Sequence, residues 1–234
     1  MLDADILNAV DDVNTTSTDV DFGLTDLAKQ KYITSTKKVG NILFSLGDRF
    51  RVLEVGGIRM CSYRTFYFDT RDCLFYNEYV KKAPIRHKIR IRHYSNLNKY
   101  YFEIKVKNFS TGEQVKHRLE IESFDKYITQ ETEELLNKLV GISFDKLVPT
   151  LESSFKRLIL VDHKSNQRIS IDMDPIFKNP RTNLEIGVPE LVIIETQQDD
   201  NSIDYFQIAV NPDDIKLSNF SRYMTGMFLT NANR

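Results

Sequence analysis

Three consecutive stretches of this chain place a charged residue at every second position, and that period constrains the fold more than any other feature. Arg86, Lys88, Arg90 and Arg92 alternate with residues that include Ile89 and Ile91. Glu103, Lys105 and Lys107 alternate with Phe102, Ile104 and Val106, and Lys116, Arg118 and Glu120 with Val115, Leu119 and Ile121. Successive side chains of a β-strand point to opposite faces, so a period of two writes strands with one apolar and one charged face. The connections Ser95-Asn96-Leu97-Asn98 and Ser110-Thr111-Gly112 are short and polar, as antiparallel hairpins require. The spacing therefore predicts antiparallel strands over about residues 86–94, 99–107 and 114–122.

The sign of the charged face matters next. From Arg86 to Arg118 there are nine Lys/Arg against two acids, a net +7, while the whole chain carries −1 and the remainder therefore −8. An ordinary half-buried sheet with a solvated charged face gives the same alternation. Such faces usually mix signs, however, because like charges on neighbouring strands repel. Cations crowded onto adjacent strands become favourable when a polyanion lies across them, and Arg and Lys suit phosphate oxygens. On this reading Lys88, Lys107 and Arg118 join Arg90, Arg92, Lys105 and Lys116 as phosphate-binding candidates. Later segments repeat the pattern sparsely, with Arg157 on one and Arg168, Ser170 and Asp172 on another. The acidic remainder speaks against a nucleic-acid coat; the positive charge is focused.

Elsewhere helices and further strands are expected. Ser35 is placed to cap a helix that lines up Val39, Ile42, Leu43 and Leu46. Residues 58–69 read as a long strand, and Gln130 opens a helix through Leu135, Leu136, Leu139 and Val140 that Gly141 stops. Strands return at about 153–162, 166–173 and 190–196, and a tail with Phe206, Ile208 and Val210 leads to a helix from Ser221. The fold class is α+β, rich in antiparallel strands. The 234 residues suffice for one large domain, expected over 27–234 behind a polar arm of residues 1–26 that could hold protein partners. The longest apolar runs, such as Leu158-Ile159-Leu160-Val161, are too short to cross a bilayer, and Met1-Leu2-Asp3-Ala4-Asp5 carries no signal core. Cys61 and Cys73 are too few for a disulfide framework. These features predict a soluble cytoplasmic protein with no membrane partner.

Glu195 ends the apolar stretch Leu191-Val192-Ile193-Ile194. A carboxylate turned inward there would need a partner or a metal, and Mg²⁺ or Mn²⁺ is typically held by one carboxylate plus substrate phosphates. A strand-end glutamate in solvent fits the same residues. His87, His93 and His117 share the apolar parity and read as packed or hydrogen-bonded rather than as a metal trio. There is no Gly-rich phosphate loop, and no nucleophilic Ser/His/Asp or Cys/His set emerges from spacing.

Several motifs together resemble one family. Tyr67-Phe68-Asp69-Thr70-Arg71-Asp72 with Leu74-Phe75-Tyr76-Asn77, Lys88-Ile89-Arg90-Ile91-Arg92-His93-Tyr94, Phe102-Glu103-Ile104-Lys105, Gly112 through Arg118, and Ser221-Arg222-Tyr223-Met224-Thr225-Gly226 occur in the order seen in vacuolar transporter chaperone (VTC) domains. The resemblance covers roughly Lys29 to Gly226. It implies the triphosphate tunnel fold, a closed antiparallel β-barrel flanked by helices, and synthesis of polyphosphate from a nucleoside triphosphate with Mn²⁺ or Mg²⁺. It also implies that Lys31, Arg90, Arg92, Lys105, Arg157 and Arg168 serve the reacting phosphates, that Lys116 and Arg222 bind the chain, and that Glu195 ligates the metal.

Departures are as informative. Leu27, Lys29 and Lys31 stand where the wider superfamily begins with alternating glutamates and a lysine. Gln197 and Asn219 occupy positions where the family pattern has lysines. Two readings from different classes stay open. One is an enzyme of metal-dependent phosphoryl transfer, as polymerase or as triphosphatase. The other is a non-catalytic docking subunit of a larger assembly, such as a virion.

Overall fold

The computed structural model describes residues 12–14, 28–54, 57–199 and 203–231. Its strands are β1 (Asp12–Asn14), β2 (Ala28–Ser35), β3 (Phe50–Glu54), β4 (Met60–Thr70), β5 (Ile85–Tyr94), β6 (Lys99–Asn108), β7 (Gln114–Ile121), β8 (Leu147–Asp162), β9 (Arg168–Lys178), β10 (Glu185–Gly187), β11 (Leu191–Gln198) and β12 (Lys216–Leu217). The α-helices are α1 (Val39–Leu46), α2 (Leu74–Val80), α3 (Gln130–Val140), α4 (Tyr205–Ala209) and α5 (Arg222–Asn231). The chain divides into two compact units. One comprises Met1–Cys61, Phe155–Pro175 and Val188–Phe220, the other Ser62–Ser154, Ile176–Gly187 and Ser221–Arg234, so β8 and β9 contribute to both.

In the first unit the strand order is β12-β2-β11-β9-β8, with β3 antiparallel to β8 and β1 parallel to β3. Val39, Ile42, Leu43 and Leu46 recur at helical spacing and form the buried stripe of α1. They pack with Tyr32, Leu158, Leu160, Ile169, Ile171, Val192 and Ile194, which share one face of the sheet, and with Phe206 and Val210. Burying each such side chain stabilises by roughly 1.5–3 kcal/mol, enough to fix which face turns inward. Ser35 does not cap this helix. It precedes a 3₁₀ turn at Thr36–Lys38, its side chain makes no capping bond, and α1 begins at Val39.

The second unit has the order β8-β4-β5-β6-β7, with β10 paired to β9. The three charged strands fall within a residue or so of their expected bounds and pair antiparallel. Their apolar face, with Ile89, Ile91, Phe102, Ile104 and Ile121, packs with Phe68, Phe75 and Leu136. Helix α3 stops at Gly141 as its sequence implies, and is closed at its other end by a capping box that the spacing does not signal. Thr129 and Thr132 form a capping box, and Gly141 ends the helix at φ 75°, a left-handed position that favours glycine.

Pairing among the described residues ends at β12 in the first unit and at β7 in the second. What stands is a mostly antiparallel sheet with flanking helices; backbone pairing does not itself close the expected barrel. Of the polar arm expected over residues 1–26, only β1 falls within the described residues. No described helix is long and apolar enough to cross a membrane.

Candidate functional site

In the second unit the strand register sorts the predicted cations into rows. Arg86 faces Lys107, which faces Gln114; Lys88 faces Lys105, which faces Lys116. In the next row Arg90 faces Glu103, which faces Arg118, and in the last Arg92 faces Tyr101, which faces Glu120. Lys88, Arg90, Arg92, Lys105, Lys107, Lys116 and Arg118 thus share one face, as their alternation predicts. The middle row of lysines sets three like charges side by side.

Glu103 organises this face. It is 1% exposed. Arg90 donates to Oε2 through Nε at 2.6 Å, while Arg118 approaches Oε1 at 3.1 Å and Arg92 lies 3.5 Å away. Burial alone would raise the carboxyl, but Arg90, Arg92, Lys116 and Arg118 outweigh it and hold Glu103 far below the usual carboxylate range. Lys116 shows the opposite balance. Burial, with the repulsion of Arg90, Arg92 and Arg118, overcomes the attraction of Glu103 and lowers its ammonium to about 8. For Arg92, burial opposes the charge, and Glu103 and Tyr94 restore it, so the guanidinium stays protonated. Tyr94 takes hydrogen bonds from both Arg92 and Arg118. At the other end of the face, the Arg86 guanidinium lies 3.9 Å and the Lys107 ammonium 4.4 Å from the Phe109 ring.

Arg222 begins α5. Its neighbour Ser221 accepts a hydrogen bond from Lys88 Nζ at 3.2 Å, which ties the start of that helix to the lysine row. The closing motif is therefore beside the charged strands, as the resemblance implies.

The first unit has a polar face of its own. Glu195 stands opposite Lys31 on β2 and Ser170 on β9, and Gln197 opposite Arg168. The Lys31 ammonium lies 3.7 Å from Glu195, and Gln197 donates to the same carboxylate at 3.5 Å. Arg157 forks onto buried Asp172 at 2.5 and 2.8 Å, so that arginine is already neutralised within the chain. Arg51, opposite Val161, is a further cation that no sequence motif singles out. Its alternation with buried Phe50 and Val52 was visible, but the stretch is too short to signal a strand. Among the described residues no three His, Cys, Asp or Glu side chains form a metal-binding group.

The histidines are not a site. His87 bonds Glu78 at 2.9 Å and His93 stacks on Tyr100 at 4.1 Å, both as expected of packed residues. His117 departs from that expectation and is exposed, because β7 is the last strand of its unit's pairing order and the apolar cover does not reach it.

Residues 27–231 match the model of the VTC domain. The chain belongs to the VTC domain family. Its VTC domain is similar in structure to a candidate adenylyl cyclase from Hippeastrum whose dominant activity is that of a triphosphatase. The TM-score is 0.54 and the identity 13%, over 85% of this chain and 93% of that one. A candidate adenylate cyclase from Bacillus halodurans gives a TM-score of 0.50 at 14% identity, over 78% of this chain and 84% of that one. At such identities the likeness is one of fold. No curated protein matches the chain.

Proposed function

We propose that this VTC domain binds the phosphate chain of polyphosphate or of a nucleoside triphosphate and transfers a phosphoryl group along it. The observation that carries this reading is the register of Lys88, Lys105 and Lys116, three cations abreast and flanked by Arg86, Lys107, Arg90 and Arg118. Like charges so placed repel when the face is empty and are relieved by a polyanion. Phosphoryl transfer asks mainly for positioning and for neutralising developing charge, which such a face supplies. A sheet closed round the chain as a tunnel would exclude water and strengthen each contact. The triphosphatase activity of the Hippeastrum protein supports a triphosphate substrate.

A divalent ion, Mg²⁺ or Mn²⁺, fits the first unit in one way. Glu195 offers carboxylate oxygens on a polar face, and the ion would take its remaining oxygens from the substrate phosphates. When bound it would supply charge neutralisation; Lys31 would then exchange its contact with Glu195 for one with phosphate.

One observation favours a second reading, a non-catalytic binding module. Gln197, not a lysine, stands beside Glu195 and opposite Arg168, and Arg157 is already paired with Asp172. Incubation with ATP and Mn²⁺ separates the readings. Long-chain polyphosphate marks a polymerase, free phosphate a triphosphatase, and neither product with retained tripolyphosphate binding marks a docking module.

A further inference from the structure

Asp69 and Tyr223 take no part in the function proposed above, yet both are buried and joined. The Asp69 carboxylate is fully buried. It accepts the backbone N–H of Thr70 at 2.7 Å and of Phe75 at 2.9 Å on Oδ1, and the N–H of Tyr76 at 2.9 Å on Oδ2. The Tyr223 hydroxyl donates to Oδ2 at 2.5 Å. No cation is among these four donors, so the carboxylate is held by hydrogen bonds alone, and a satisfied buried network of this kind fixes geometry. The Tyr223 ring stacks on Tyr67 with centroids 5.1 Å apart, and Tyr67 is the cross-strand partner of Arg90. One turn further along α5, a Cβ on Gly226 would lie 2.5 Å from Leu151 and 2.7 Å from Phe177, so only glycine lets the helix approach this closely. One residue before Arg222, Ser221 is bonded to Lys88.

We propose that Asp69 and Tyr223 form a latch that seats the first turn of α5 beside the lysine row and so sets where Ser221 and Arg222 meet a bound phosphate chain. A helix of this length has little stability of its own, and its placement depends on such tertiary ties. The two motifs furthest apart in the sequence, around Asp69 and around Tyr223, are then halves of one positioning device. Neither residue is assigned a contact with phosphate. Their consequence for affinity rests on the phosphate-binding reading; the latch itself does not.

The test has two arms on the full chain. In the first, amide hydrogen exchange of residues 222–231 is followed without any phosphate. Exchange should quicken in Tyr223→Phe, which keeps the ring and removes the hydroxyl, and unchanged exchange would overturn the latch. In the second, calorimetric titration with tripolyphosphate compares wild type, Tyr223→Phe, Arg222→Ala and the double variant, all well below their melting temperatures. Tyr223→Phe should weaken binding about 5- to 10-fold, as loss of one buried hydrogen bond would. The double variant should bind about as weakly as Arg222→Ala, since the hydroxyl acts through the residue beside it. Unchanged affinity in Tyr223→Phe, or penalties that simply add, would reduce Tyr223 to a stability role. If wild type takes up no tripolyphosphate, the proposed function fails, and the exchange arm alone decides the latch.

Discussion

Lys105 and Lys116 stand directly opposite one another on β6 and β7, two like charges at a position where sheets ordinarily pair unlike ones. Cross-strand pairs contribute roughly 0.2–1 kcal/mol, and like charges facing each other are destabilising. Lys105→Met keeps the length of the side chain and removes the repulsion. The variant should melt slightly higher than wild type without ligand, yet bind tripolyphosphate more weakly, by roughly 1.5–3 kcal/mol for one charge-assisted contact. Paired thermal melts and titrations check this; loss of stability together with unchanged affinity would refute the assignment.

Glu103 is held by three arginines, so changing it should separate stability from binding. Glu103→Gln leaves Arg90, Arg92 and Arg118 without their buried counter-charge, a change that typically costs about 3–5 kcal/mol. The same arginines would then bind anions more tightly, and tripolyphosphate should restore much of the lost melting temperature. Because the folded state holds this carboxyl far below its ordinary value, its stabilisation is fully present above the usual carboxylate range and is lost as pH falls from that range down through the much lower folded value. Replacing Arg90 and Arg92 together by Ala should weaken tripolyphosphate binding by on the order of 3 kcal/mol or more, whereas Arg71→Ala, in an exposed turn, should not.

Lys116 predicts a pH profile. Its ammonium titrates near 8 in the folded chain against an ordinary value of 10.5. Between these two values the unfolded chain binds more protons, so this group makes the fold more stable as pH rises through that window. Phosphate affinity should move the other way and fall as pH rises through about 8, because the lysine row loses one of its charges. Lys116→Arg keeps its charge there and should flatten the fall. An affinity profile identical in wild type and Lys116→Arg from pH 7 to about 9 would count against the lysine's part in binding.

Glu195 separates binding from turnover. Glu195→Gln removes one negative charge from the polar face of the first unit, so phosphate binding should persist or strengthen while any Mn²⁺-dependent product formation disappears. Gln197→Lys should strengthen phosphate binding, since the new ammonium would stand opposite Arg168 and beside Glu195. Calorimetry on both variants, with product analysis on the first, tests the pair of expectations. Turnover that survives Glu195→Gln would remove the carboxylate from the mechanism.

The charged face was legible because its information is local. The alternation of Arg86 through Arg92 fixes the strand, the parity and the sign of the face without reference to any other segment. The helices α1 and α3 announced themselves by apolar spacing, and α3 also by the glycine that stops it. What stayed hidden depends on long-range partners. Helix α2 begins where the Asp69 side chain receives the N–H groups of Phe75 and Tyr76, which no propensity reveals. The strand β3 is too short to show a period, so Arg51 went unnoticed. The exposure of His117 follows from its place on the last paired strand of its unit, a matter of sheet order. The pairing of Arg157 with Asp172 joins two strands whose sequences show only that each carries a charge.

The four rows of the second unit are not equivalent. Counted as formal charge along the register, the row of Arg92, Tyr101 and Glu120 sums to zero and the Glu103 row to +1; the Lys88 row carries three, and the Arg86 row two. Successive rows along a strand lie about 6.6–6.8 Å apart, so a stretched anion several phosphates long spans more than one of them. A linear polyphosphate has two identical ends, but the surface would give them different neighbours. On the proposed reading one end would sit among lysines and the other would meet Tyr101 and Glu120. The face therefore has a head and a tail, and a symmetric chain laid on it acquires a direction that its own chemistry lacks.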